Sequence, residues 1–144
     1  MRFFLLLCIG LFVPFATFAE TDFFSALTGD YGRPFSAEYT CQKNPHHVSF
    51  SADHRRALFE WRQDIMGYDG SVRKTAEYTV LGSNSVGIIM RLDGESRLTD
   101  TGEPVVWIMR QTLGVDGYCW GRTDWPEAQC IAPHIRCPDP ELGA

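Results

Sequence analysis

The side chains best suited to chemistry in this sequence gather in residues 119–130, CWGRTDWPEAQC, where Cys119 and Cys130 bracket Trp120, Arg122, Asp124 and Trp125. A cysteine pair reads as metal ligands in a reducing compartment and as a disulfide in an oxidising one, so the compartment has to be settled first. His46 and His47 are adjacent in NPHH. Neighbours in an extended segment face opposite ways, so the two are not expected to chelate one metal. They remain the histidine candidates for acid–base work, ahead of His54 and His134, with Asp124 as the acidic partner an enzyme reading would use. No G-x-S-x-G elbow is present, and GSNSVG reads as a turn. Asp93, Glu95, Asp100 and Glu103 miss the spacing of a calcium loop. With Arg91 and Arg97, Glu95 is expected to form exposed cross-strand charge pairs. The sequence therefore predicts no catalytic constellation, no metal and no cofactor.

The N-terminus, MRFFLLLCIGLFVPFATFAE, carries one basic residue, an apolar run and the pattern Thr17-Phe18-Ala19. These are the marks of a signal peptide over residues 1–19, cut after Ala19. The run is short of the roughly 20 apolar residues that a spanning helix needs, so no membrane span is expected after cleavage. Removal of Arg2 takes the net charge from -5 to -6, and no cluster of basic residues is present. That disfavours nucleic acid and anionic membrane surfaces as partners. Cys8 leaves with the signal, so Cys41, Cys119, Cys130 and Cys137 remain of five cysteines. In a periplasmic or secreted protein, an even number reads as two disulfides.

The elements that must position these groups are strands. A short helical segment is expected around residues 21–27, ended by TGDYGRP. After it, SAEYTCQ, HVSFSA, RALFEWR, TAEYTVL, VGIIMRL, VVWIMR and GYCWGR alternate apolar and polar residues with the period of half-buried strands. Turn signals such as Asp93-Gly94 and Asp116-Gly117 separate them. The segment from 63 to 74 is the least regular. The expectation is an all-β domain over residues 20–137, an antiparallel meander closing into a seven- or eight-stranded barrel, with a disordered tail at 138–144. If the first strand ends at Cys41 and the last begins at Cys119, closure sets these two side by side. The expected bridges are then Cys41–Cys119 and Cys130–Cys137.

A signal peptide, Tyr39-Thr40-Cys41 on a first strand and a late disulfide after short antiparallel strands resemble two groups of small exported barrels. These are the inhibitors of C-type lysozyme and the lipocalin-like proteins. The resemblance implies a barrel. It transfers no inhibitory residue, because Ser85-Val86-Gly87 is followed by no matching tyrosine and no lysine lies beyond Lys74. The functional expectation is an exported, non-enzymatic binding protein for a small apolar ligand or an envelope protein. An inhibitor of a cell-wall hydrolase and a small enzyme with a His/Asp site are the alternatives. Trp120, Arg122, Asp124 and Trp125 are the candidate binding residues, and Trp125 is the expected contact surface.

Overall fold

The computed structural model describes residues 22–139; the expected signal at 1–19 and most of the expected tail at 138–144 lie outside the described residues. Helix α1 (Phe23–Leu27) is capped by Asp22, whose carboxylate accepts from the backbone N–H of Phe24 and Ser25. Eight strands follow: β1 (Gly29–Gly32), β2 (His46–Phe50), β3 (Arg56–Met66), β4 (Val72–Asn84), β5 (Gly87–Leu92), β6 (Trp107–Gln111), β7 (Gly117–Arg122) and β8 (Ile131–Arg136). Each pairs antiparallel with the next, and β1 pairs with β8 to close the barrel. This is the expected all-β meander, in its eight-stranded form, with one short helical piece and two disulfides.

Alternation in the strands sets the interior. Val48, Phe59, Ala76, Ile88, Met90, Met109 and Tyr118 point inward and are buried, with Phe50, Tyr78, Trp107 and Trp120 packed against them. Fully burying a large apolar side chain contributes about 1.5–3 kcal/mol each, which is the main force holding the strands in this register. Because the strands run alternately up and down, the connections at 33–45, 67–71, 93–106 and 123–130 collect at one end of the barrel, here called the mouth. Helix α1 and the connections at 51–55, 85–86 and 112–116 lie at the other end.

Several expected elements are corrected. SAEYTCQ is not a strand, and Tyr39-Thr40-Cys41 lies in turns instead. Local hydrogen bonds curl it: the Ser36 hydroxyl accepts from the N–H of Glu38 and Tyr39, and Arg33 N–H donates to Tyr39 O at 2.7 Å. The first strand is instead the glycine-flanked Gly29–Gly32 of the segment expected to break structure. The last is Ile131–Arg136, one strand beyond GYCWGR, the last strand expected. Asp93-Gly94 does not close a tight hairpin. It opens a longer connection folded on itself by a Leu98–Pro104 bridge. The irregular segment at 63–74 extends β3 and β4 into a long ribbon, turning at Gly70 with a left-handed φ of 78°.

These shifts also reverse the cysteine pairing. The bridges are Cys41–Cys137 and Cys119–Cys130, each with Cα atoms 5.5 Å apart. The strand that meets β1 is β8, not β7, and Cys137 N–H donates to Asp30 O at 2.8 Å directly after it. The 33–45 connection folds back so that the Cys41 backbone and Sγ lie against Gly32, where a Cβ would not fit. Cys41 thus sits over the β1–β8 seam beside Cys137. Counting one strand too few assigned Cys119 to that seam.

Candidate functional site

The mouth is covered by alternating aromatic and guanidinium groups. Arg97, in the 93–106 connection, lies 3.8 Å from the Tyr68 ring centroid and 4.9 Å from that of Trp107. Arg122, the last residue of β7, lies 5.8 Å from Trp107 and 4.9 Å from Trp125. The row Tyr68, Arg97, Trp107, Arg122, Trp125 therefore draws on three mouth connections and two strand ends. Cation–π contacts of this kind contribute roughly 0.5–2 kcal/mol each, more where water is excluded. Register explains the placement: Trp107 is directly opposite Arg122, and the next inward pair is Met109 opposite Trp120.

Both cations are held by carboxylates. Arg122 donates to Asp124 through Nε at 2.9 Å and Nη2 at 2.7 Å. Arg97 donates to Glu95 through Nε and Nη2, both at 2.7 Å, and Trp107 Nε1–H donates to the same carboxylate at 3.1 Å. Glu95 has no exposed side-chain surface, whereas Arg97 keeps 37%. Burial pushes the Glu95 carboxyl up, but the hydrogen bonds from Arg97 and Trp107 outweigh it and hold it down at about 2. The expectation that Glu95 and Arg97 are surface charges is thus corrected. The Tyr68 hydroxyl binds the 93–106 connection as well, accepting from Ser96 N–H at 3.2 Å.

Of the four candidate binding residues, Arg122, Asp124 and Trp125 meet at the mouth. Trp120 lies beneath them in the interior, 5.7 Å from Tyr78 and 5.6 Å from Tyr118, and is not a surface contact. Trp125 is half-buried, edge-to-face on Trp107 at 6.0 Å. The sequence reading passed over Tyr68, Glu95, Arg97 and Trp107 as site residues. A signal was available in the recurrence of Arg and aromatic residues at strand ends and in the connections between them.

The histidines do not meet Asp124. They open β2, and as neighbours on a strand they face opposite ways. His46 is buried, with its Nε2 sharing a 2.6 Å hydrogen bond with the Tyr118 hydroxyl. His134 stacks on Tyr118 at 4.5 Å, and the two imidazoles lie 5.0 Å apart. Burial lowers His46 to about 4, and burial with the neighbouring His46 lowers His134 to about 3. Both rings are therefore neutral core groups at pH 7. His47 points outward, with Nδ1 2.9 Å from Asp30 Oδ1. Among the described residues, no group of three histidine, cysteine or acidic side chains is arranged to hold a metal ion.

No family model matches the chain, and no solved structure matches it. GTPase Der of Streptomyces coelicolor is 31% identical over 75 residues, which is 52% of this chain and 16% of that protein's length. The chain thus spans only a small part of that relative. Its two lysines, Lys43 and Lys74, follow Gln42 and Arg73, so it has no Gly-Lys-Ser/Thr phosphate loop.

Proposed function

We propose that this chain is an exported, non-enzymatic binding protein that presents the barrel mouth to a protein of the cell envelope. The observation that carries the reading is the row Tyr68, Arg97, Trp107, Arg122, Trp125, set beside exposed Met66, Val72 and Leu98. Aromatic residues, Met and Arg are the side chains that concentrate binding energy at protein interfaces. Here the two arginines are already oriented by carboxylates, so little side-chain entropy would be lost on binding. An apolar ligand inside the barrel is less well supported. The interior carries a continuous run of ring contacts from Tyr31 through Tyr118 and Trp120 to Trp107.

The test is capture of envelope proteins on the immobilised mature chain. Trp125→Ala and Met66→Ala are compared with Leu113→Ala at the opposite end. A partner retained by wild type and Leu113→Ala but lost by the two mouth variants is expected. A partner insensitive to both mouth variants would exclude the mouth, and stoichiometric uptake of an apolar fluorescent probe would favour the interior instead.

A second reading, inhibition of a cell-wall hydrolase, is favoured by one feature at the far end. Leu113 is 98% exposed at the tip of the 112–116 connection, beside Gly114 in a left-handed turn and exposed Val115. Such a tip suits insertion into a cleft. Slowing of a lysozyme by wild type but not by Leu113→Asp is the outcome this reading requires.

A further inference from the structure

We propose that the open groove beside the Cys41–Cys137 bridge is a binding site for a neutral saccharide. The groove has a volume of about 510 Å³ and is separate from the row of rings at the mouth. Its apolar surface comes from the disulfide, Pro45 and Pro138.

Around this floor stand hydrogen-bonding groups of both kinds. Strand register places Asp30, His47 and Glu60 in one row across β1, β2 and β3. Asp30 holds His47 Nδ1, which leaves Nε2 for a ligand. Glu60 offers a carboxylate and Lys74 an ammonium, and among the described residues neither is within ion-pair distance of a partner. Arg62 also lines the groove, with Nη1 donating to Gln42 O at 2.8 Å.

The chemistry of the ligand follows from this set. Two carboxylates and two permanent cations cancel, so neither an anion nor a cation is selected by net charge. Donors and acceptors alternate, which matches hydroxyl groups because each can both donate and accept. The disulfide, Pro45 and Pro138 beside them offer apolar surface to the C–H side of a sugar ring. The size falls in the ordinary range for small-ligand sites.

Calorimetric titration with the N-acetylglucosamine tetramer and with cellotetraose tests this, with alanyl-alanine and inorganic phosphate as zwitterionic and anionic comparisons. Saturable binding of a sugar with Kd below about 1 mM is expected. His47→Ala, Glu60→Gln and Lys74→Ala should each weaken it roughly 2- to 10-fold, as loss of one hydrogen bond does, without moving the thermal midpoint. Trp125→Ala should leave sugar binding intact, which separates this site from the mouth. Absence of saturable sugar binding, indifference to all three groove variants, or tighter binding of the dipeptide or phosphate would each overturn the proposal.

Discussion

Glu95 holds a negative charge with no water-accessible side-chain surface, and what keeps it charged is Arg97 on one side and the Trp107 indole on the other. Replacing it by Gln leaves an acceptor for Trp107 but frees Arg97. Glu95→Gln should cost about 1–2 kcal/mol, read from urea unfolding at pH 7. Its folded pKa, about 2, lies below the ordinary 4.5, so its contribution is present above pH 4.5 and is lost as the pH falls towards 2. The buried histidines act in a higher window. Their folded values, about 4 for His46 and about 3 for His134, lie below 6.5, so the unfolded chain takes up their protons first. Stability should therefore decline as the pH falls from about 6.5 towards 3. His134→Phe keeps a ring on Tyr118 and removes one of the two groups, so stability measured between pH 7 and 5 should fall less steeply than in wild type. An unchanged slope would show that His134 does not stay neutral in the folded chain. Arg122–Asp124 was legible because its partners are two residues apart. Glu95 was not, because its burial is produced by Trp107, which arrives from the next strand.

At the scale of elements, alternation identified β2 to β7, whose side chains meet a common core. It failed at both ends of the barrel for definite reasons. β1 has glycine at two of its four positions and little side-chain pattern. β8 contains Pro133, and Ala132 has a left-handed φ of 50° where its pairing with β7 is irregular. SAEYTCQ has the alternation of a strand, yet the Ser36 hydroxyl and Arg33 N–H satisfy its backbone locally, so no neighbouring strand is required. The cysteine pairing was lost with these two strands. The bridges differ in reach: Cys41–Cys137 spans 96 residues and Cys119–Cys130 spans 11. Since a longer closed loop restricts the unfolded chain more, Cys41→Ser with Cys137→Ser should cost about 4–5 kcal/mol. Cys119→Ser with Cys130→Ser should cost about 2–3 kcal/mol. Unfolding midpoints of the two double variants check this order. Non-reducing peptide maps of wild type should contain these two pairs alone.

For the molecule as a whole, the barrel class was readable and its strand number to within one, because alternating runs with turns between them leave few other ways to bury one face. Its two ends differ in a way the sequence did not disclose. One end carries the charged aromatic row, and the other carries α1, with Phe24 stacked on His54 at 4.0 Å. The seam that joins the two ends of the chain is also its shortest: β1 and β8 share two residue pairs, whereas β3 and β4 share seven. This asymmetry orders assembly in time. The β3–β4–β5 hairpins join residues close in sequence and can form early, but the seam joins residues about a hundred positions apart and carries a much larger loop-closure entropy. Cys41 must therefore wait for nearly the whole barrel before Cys137 is in reach. Thiol trapping during oxidative refolding should accumulate a species with Cys119–Cys130 closed and Cys41 and Cys137 still reduced, which then disappears as native near-ultraviolet circular dichroism is gained.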